Sequence, residues 1–140
     1  MSASGPLQDL RVLELGQLIA GPFCGQLMGD LGAEVIKVEA PGRGDPMRDW
    51  GQGVPVWWSV IARNKKSITL DLRQPAGQAL LLKLVADADV LIENFRPNTG
   101  KMESRLRSAV SGESRSDHGS GVRFRPDGPV FAARRLWLHR

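Results

Sequence analysis

Residues 10–42 read L-R-V-L-E-L-G-Q-L-I-A-G-P-F-C-G-Q-L-M-G-D-L-G-A-E-V-I-K-V-E-A-P-G, and this stretch decides the fold. Leu10 to Leu15 predicts a β-strand because apolar residues dominate it, and Gly16 ends that strand. The segment from Gly21 to about Leu31 predicts a helix, since apolar side chains recur there at helical spacing. Glu34 to Glu39 predicts a second strand, which a proline and a glycine close. The stretch is therefore a strand, a helix and a second strand with short connections.

The chain repeats this order before residue 100. An apolar segment with two tryptophans, Val54 to Ala62, leads to a third predicted strand from Ser67 to Leu72. A helix from Pro75 to about Ala86 and a fourth strand from Val90 to Ile92 follow. We expect that helix to bury four side chains: Leu80, Leu81, Leu84 and Val85. Alternating strands and helices predict an α/β fold, a Rossmann-like parallel sheet with flanking helices.

The carboxyl ends of the predicted strands mark the candidate site. In a parallel α/β sheet the ligand lies beyond those ends, so topology places the site before residue type is considered. The segments that meet there are Gly16 to Pro22, Glu39 to Asp45, Leu70 to Arg73 and Glu93 to Pro97.

Small residues dominate the segment from Gly16 to Pro22. They would let a ligand approach the backbone at the helix start, or they serve a tight turn for steric reasons alone. The spacing is not that of the dinucleotide fingerprint G-x-G-x-x-G, so nicotinamide binding has little support. The glycine pattern leaves the ligand site and the tight turn both open.

Cations and an aromatic residue give two further candidates. Glu93 to Pro97 offers an amide, a ring and a cation that suit an adenine or a pantetheine. A set of cations could meet the phosphates of an anionic cofactor, or could form a solvated basic surface. These cations are Arg43, Arg48, Arg63, Lys65, Lys66 and Arg73. His118 and His139 have no partners at ligand spacing, so no metal site is predicted.

Composition narrows the class of protein. No apolar run reaches the roughly 18–20 residues that span a bilayer, and the first residues lack a secretory pattern. The lone cysteine, Cys24, forms no internal disulfide and suits a reducing compartment. We therefore expect a cytoplasmic protein without a membrane segment.

Three ordered blocks between residues 7 and 99 resemble the CaiB/BaiF, or family III, CoA-transferases. Ile19 to Asp45 reads I-A-G-P-F-C-G-Q-L-M-G-D-L-G-A-E-V-I-K-V-E-A-P-G-R-G-D, Arg63 to Asp71 reads R-N-K-K-S-I-T-L-D, and Ala88 to Pro97 reads A-D-V-L-I-E-N-F-R-P. The resemblance implies that residues 1–99 are the N-terminal, Rossmann-like, CoA-binding segment of such an enzyme. It further implies coenzyme A or acyl-CoA as a substrate with no prosthetic group, a carboxylic acid acceptor, and an interlocked homodimer.

By position in these blocks, three segments would line the coenzyme A. They are Ile19 and Ala20; Leu70, Asp71, Leu72 and Arg73; and Asn94, Phe95 and Arg96. The formyl-CoA transferases of the family have Gln in place of Ile19 and Arg in place of Ala40. These departures count against oxalate and formate as the substrate pair. They also count against one of the contacts that the family makes with a phosphate of coenzyme A.

The resemblance implies an aspartate nucleophile that has no counterpart here. Its carboxylate attacks the acyl-CoA thioester, giving an anhydride and then an enzyme thioester before CoA passes to the acceptor. That aspartate lies in a Gly-rich region beyond the hundredth residue, and Asp117 and Asp127 sit in different surroundings. No catalytic residue is therefore predicted, and the chain alone is expected to be inactive.

Residues 100–140 differ in composition from the rest of the chain. Residues 1–100 carry 10 basic and 11 acidic side chains, whereas residues 101–140 carry 9 basic and 4 acidic ones. Family members continue after Thr99 with a block like T-L-E-K-W, which this chain lacks. Suitable codons read one base later recover L-E-K-W-N-L-G-Y and then S-G-F-G-Q-T-G-P-Y. A one-base frame change near codons 98–99 predicts a disordered tail whose charge has no selected function.

Two other functions remain open. An α-methylacyl-CoA racemase of the same superfamily would use acid–base residues beyond this segment. A non-enzymatic binding module would use the basic tail on nucleic acid or anionic lipid. The tail lacks interleaved aromatics and a DNA-binding fold, so we expect neither nucleic acid nor a membrane as partner.

Overall fold

The computed structural model describes residues 5–51, 53–94 and 121–124, the last as backbone only. Their strands are β1, Arg11–Glu14; β2, Glu34–Glu39; β3, Lys65–Thr69; β4, Val90–Glu93; and β5, Gly121–Phe124. Their helices are α1, Ala20–Asp30; α2, Val56–Ile61; and α3, Pro75–Ala86, with a 3-10 turn at Pro46–Asp49. None of the helices in these residues is both long enough and apolar enough to cross a bilayer.

The strands form one sheet in the order β3-β2-β1-β4-β5. The first four are parallel, and β5 runs antiparallel to β4. The predicted α/β fold with a parallel sheet is therefore confirmed. The chain moves outward from β1 to β3 and then crosses back to β4, so the strand order reverses between β1 and β4. In such sheets the ligand crevice lies beyond the carboxyl ends of the strands at this reversal.

Each face of the sheet carries its own core, because side chains alternate along a strand. On one face Leu13 of β1 belongs to a buried cluster with Leu81 of α3. On the other face Val12 and Val90 form a second cluster, against which Met28 of α1 packs. The central strand β1 is thus covered on both sides, which is the usual state of a parallel sheet.

Helix α1 packs on the sheet through glycines. Gly21, Gly25 and Gly29 are buried and lie four residues apart, so they share one side of the helix. A Cβ atom at Gly25 would lie 2.0 Å from Oε2 of Glu14 on β1. The large apolar residues that indicated the helix from sequence lie elsewhere on it, and three are about half exposed: Phe23, Leu27 and Leu31. Because α1 lies so close to the buried carboxylate of Glu14, the side of the helix that faces it must carry glycine.

Two predictions about β3 and α3 were wrong in detail. The third strand is Lys65–Thr69 rather than 67–72, so residues 70–72 form the turn after it. The alternation of Leu70 and Leu72 misled the prediction, because both pack against the core from this turn. In α3 the side chains of Leu81 and Val85 are buried, but Leu80 is half exposed because it lies off the stripe that faces the sheet.

Strand β5 departs from the disorder predicted for residues 100–140. It pairs with β4 from Gly121 beside Glu93 to Phe124 beside Val90. Val122 and Phe124 are good β-formers, and the free edge of β4 offers unpaired backbone groups. The rest of that tail lies outside the described residues.

Replacing Gly25 with alanine should destabilise the fold, although alanine is the better helix former by about 1 kcal/mol. The new methyl group would collide with the carboxylate of Glu14, which is buried and ion-paired. We expect a loss of about 2 kcal/mol in the free energy of unfolding, measured by thermal denaturation. Leu27→Ala, on an exposed side of the helix, is the control and should change stability little. An unfolding midpoint for Gly25→Ala at or above that of the natural chain would contradict this packing.

Candidate functional site

The candidate site is the carboxyl end of the sheet, where β1 and β4 stop beside each other. Asn94 follows β4 directly and holds the loop between β1 and α1. Its Oδ1 accepts a hydrogen bond from the backbone N–H of Gln17 at 2.8 Å. Its Nδ2 donates to the carbonyl of Gln17 at 2.8 Å. Two of the segments predicted for the site therefore meet, and Asn94 acts on the loop as a positioning residue.

The β1–α1 loop folds back on itself too closely for side chains at its two ends. A Cβ atom at Gly16 would lie 2.7 Å from the Cα of Gly21, and one at Gly21 would lie 2.8 Å from the Cα of Gly16. Between them Leu18 has φ 62°, a left-handed conformation that side chains disfavour. Asp45 Oδ1 accepts the N–H of Leu18 at 3.1 Å and so helps to hold this conformation. The small residues are thus required sterically, whatever ligand the loop receives.

Four charged side chains lie beneath this loop, each no more than 1% exposed: Glu14, Lys37, Asp45 and Lys65. We call them the Lys37 network. The Nζ atom of Lys37 lies 2.9 Å from Oε1 of Glu14 and 2.8 Å from Oδ2 of Asp45. It also donates to the carbonyl of Gly16 at 2.8 Å. Lys37 therefore ties both strand-end loops to the sheet.

Lys65 completes the balance of charge. Its Nζ atom lies 2.7 Å from Oε2 of Glu14 and donates to the carbonyl of Pro22 at 2.6 Å. Two ammonium groups thus face two carboxylates, as buried charges require. Burial lowers the pKa of Lys65 below its ordinary value, and the nearby Glu14 carboxylate offsets only part of that shift. Burial, reinforced by Glu14, also raises the pKa of the Cys24 thiol, so this thiol is not an activated nucleophile.

A second anchor lies at the end of β2. Glu39 accepts two hydrogen bonds from Arg48 at 2.8 Å each, one from Ser67 Oγ at 2.5 Å and one from the N–H of Asp45 at 2.8 Å. The guanidinium of Arg48 stacks on Trp58, with its carbon 3.8 Å from the ring centroid. Burial alone raises the pKa of Glu39, but these donors outweigh it and lower the pKa to about 2.

The predicted site residues take different positions around this end of the sheet. Ile19 caps α1 and is 51% exposed, and Ala20 beside it is exposed as well. Both are free to contact a molecule that lies over the loop. Asn94 is engaged with Gln17, as described above, while Phe95 and Arg96 lie outside the described residues.

The turn from Leu70 to Arg73 lies two strands away from β1, after β3. Leu70 and Leu72 pack partly into the core, so a ligand at this turn would meet their backbone more than their side chains. Asp71 Oδ1 accepts from the backbone N–H and from Nε of Arg73, each at 3.1 Å. Asp71 and Arg73 are therefore the polar side chains that this turn presents.

The basic segment from Arg63 to Lys66, which runs into β3, does not line the candidate site. It lies at the amino end of the strand, where Arg63 pairs with Asp30 and Lys66 pairs with Glu34. Lys65 is neither solvated nor open to a phosphate, because the Lys37 network encloses its ammonium group. Within the described part of the chain, no cluster of three His, Cys, Asp or Glu residues could hold a metal ion.

Comparison with known proteins assigns the family. Residues 7–106 match the model of CoA-transferase family III. The chain belongs to this family. The expected resemblance to family III is thereby confirmed.

Relatives within family III are closely similar over the same region. Succinyl-CoA–D-citramalate CoA-transferase of Chloroflexus aurantiacus is 65% identical over 98 residues, which cover 67% of this chain and 24% of that protein. The alpha subunit of succinyl-CoA–L-malate CoA-transferase, also from Chloroflexus aurantiacus, is 50% identical over 99 residues, or 67% of this chain and 23% of that one. The chain thus spans about a quarter of the length of the relatives it matches.

Two solved structures show the same fold over most of this chain. A CAIB/BAIF family protein from Brucella suis superposes with a TM-score of 0.66 at 40% identity, covering 75% of this chain and 31% of that one. A hypothetical protein from Mycobacterium tuberculosis gives a TM-score of 0.66 at 43% identity, with coverages of 75% and 30%.

Sequence reasoning missed the Lys37 network. Its signal was present, because Glu14 and Lys37 stand inside short apolar strands next to each other in the sheet. A charged residue in a strand covered on both faces must be buried and paired. What the sequence does not show is which partners the loops supply, since Asp45 reaches Lys37 only through the fold.

Replacing Glu39 with glutamine should flatten the dependence of stability on acid pH. The pKa of Glu39 is about 2 in the folded chain against an ordinary 4.5, so its contribution is full above pH 4.5 and is lost as pH falls through 2. We expect this contribution to be on the order of 2 kcal/mol after solvent screening, measured by urea denaturation between pH 7 and pH 2. Ser67→Ala removes only one donor and should flatten the dependence less. An unchanged pH dependence in Glu39→Gln would refute the assignment.

Proposed function

We propose that the whole protein is a CoA-transferase, which moves coenzyme A from an acyl-CoA to a free carboxylic acid. The observation that carries this proposal is the 65% identity to a succinyl-CoA–D-citramalate CoA-transferase across residues that include the β1–α1 loop. The carboxyl end of the sheet supports it, because the strand order reverses there and Ile19 and Ala20 are exposed beside the loop that Asn94 and Lys37 hold.

We propose that coenzyme A lies across this end of the sheet as substrate, with no prosthetic group. Ile19 and Ala20 would contact it from the start of α1, where backbone N–H groups and the helix dipole favour anionic groups. The turn from Leu70 to Arg73 would contact it from β3, and Asn94 to Arg96 from β4. Asn94 would act mainly through the loop that it holds.

We propose succinyl-CoA as the donor and a small dicarboxylic acid as the acceptor. Both relatives described above have succinyl-CoA in their names, with D-citramalate or L-malate as the other substrate. An acceptor of this kind also agrees with Ile19 and Ala40, which depart from the residues of the formyl-CoA transferases.

We propose that residues 100–140 are encoded after a one-base change of reading frame, so this form of the chain lacks the nucleophile and is inactive. The excess of basic residues after residue 100 supports a break in composition. Sequencing the DNA of the locus tests this directly. The alternative frame should encode S-G-F-G-Q-T-G-P, and its absence would refute the frame change.

We further propose a cytoplasmic protein that forms a homodimer when its frame is intact. The apolar residues Phe23 and Leu27 on α1, Leu31 directly after it and Trp57 on α2 are about half exposed, which suits burial against a further protein layer. The reduced state of a lone cysteine suits the cytoplasm.

Replacing Ala20 with glutamate should weaken binding of coenzyme A by about tenfold, because a carboxylate would face the anionic phosphates. The fold should persist, since a carboxylate in the first turn of a helix is favourable. Calorimetric titration of the whole 140-residue chain with CoA measures the affinity. Leu80→Glu is the matched control, because it adds the same charge at an exposed position of α3.

The activity itself is tested on the protein expressed from a locus with an intact frame. Succinyl-CoA with D-citramalate or L-malate should give the new thioester, detected by chromatography. Inversion of a 2-methylacyl-CoA without transfer would instead favour the racemase. No affinity for CoA or its thioesters in this protein would overturn the proposal.

A further inference from the structure

We propose that Lys37 is the positioning residue of the CoA site: it holds the β1–α1 loop in the shape that receives the ligand. This inference rests on the proposed CoA-binding function. It assigns to Lys37 a role at the site although protein groups enclose its ammonium group.

Lys37 is the point at which three separate parts of the chain meet. Its Nζ contacts Glu14 at the end of β1, the carbonyl of Gly16 in the β1–α1 loop, and Asp45 in the loop after β2. Nζ donates hydrogen bonds to Glu14 Oε1 and to the carbonyl of Gly16, and it forms an ion pair with Asp45 Oδ2 at 2.8 Å. The carbonyl of Gly16 is thereby fixed directly, with no solvent molecule between.

Asp45 carries the effect one step further into the loop. While its Oδ2 binds Lys37 at 2.8 Å, its Oδ1 accepts the N–H of Leu18 at 3.1 Å and that of Met47 at 2.9 Å. Leu18 is the loop residue in the left-handed conformation. Such a conformation persists only where the surroundings hold it. Lys37 therefore holds Gly16 directly and Leu18 through Asp45. Leu18 immediately precedes Ile19 and Ala20.

A pre-shaped loop binds more tightly than one that must be ordered on binding, because the ordering cost is already met in the free protein. Without Lys37, Gly16 and Asp45 would lose their shared partner and Leu18 would lose part of its support. The affinity for CoA should then fall although no ligand contact has been removed.

The test variant is the double substitution Lys37→Met/Asp45→Asn. It removes one positive and one negative charge, so Glu14 keeps Lys65 as its partner and the network stays balanced. The asparagine introduced by this variant can still accept the N–H of Leu18 through its side-chain oxygen, which isolates the loss of Lys37. The single variant Lys37→Met would leave a buried carboxylate unpaired and would confuse positioning with unfolding.

Two controls separate positioning from general loss of stability. Val38→Ala truncates a buried residue on the opposite face of the same strand, so it destabilises the fold without touching the network. Lys66→Met removes an exposed lysine that pairs with Glu34 at the amino end of the sheet.

Two measurements on the whole 140-residue chain decide the matter: hydrogen exchange of the backbone from Gly16 to Gly21, and calorimetric titration with CoA. In Lys37→Met/Asp45→Asn we expect faster exchange of the loop and an affinity for CoA about tenfold weaker. Both controls should keep the loop exchange and the affinity of the natural chain. If the double variant matches Val38→Ala in both measurements, Lys37 is structural only and the inference fails. If the natural chain does not bind CoA, the proposed CoA site on this segment fails, while the transfer assay on the intact-frame protein still decides the proposed activity. Loop exchange alone then decides whether Lys37 positions the loop.

Discussion

A lysine ammonium group buried in the middle of a sheet dictates much of this structure. Lys37 sits on β2 with its side chain 1% exposed, and its charge must be met by acceptors because water is excluded. β1 supplies one acceptor as Glu14, and the two strand-end loops supply the others. The loops are consequently bound to the sheet by charge at the candidate site.

The same constraint explains the composition of α1. The carboxylate of Glu14 occupies the space above β1, so the helix that covers it carries glycine at the point of contact. Glycines at intervals of four residues then form the side that faces the sheet, and large apolar residues are left on the exposed sides. A helix that would normally pack by leucine and phenylalanine instead packs on the sheet through its glycines, with Cys24 and Met28 beside them.

The candidate site lies at the carboxyl end of the sheet in a chain that belongs to family III. The strand order reverses there, beside the β1–α1 loop. Three kinds of contact hold the loop: the close approach of Gly16 to Gly21, the hydrogen bonds of the Asn94 amide, and the Lys37 network. Such redundancy is typical of a segment whose shape matters for function.

The sequence by itself determined the α/β class and the bounds of β2 and α3, and it predicted the candidate site at the carboxyl end of the sheet. These follow from local pattern, because strand and helix periodicities and their glycine and proline boundaries are short-range features. Only the tertiary structure decided which side of α1 faces the sheet, where β3 ends, and that Glu14, Lys37, Asp45 and Lys65 form one network. The four residues are far apart along the chain, so no local pattern connects them. Burial and charge pairing are properties of the assembled fold, which is why they had to be seen there.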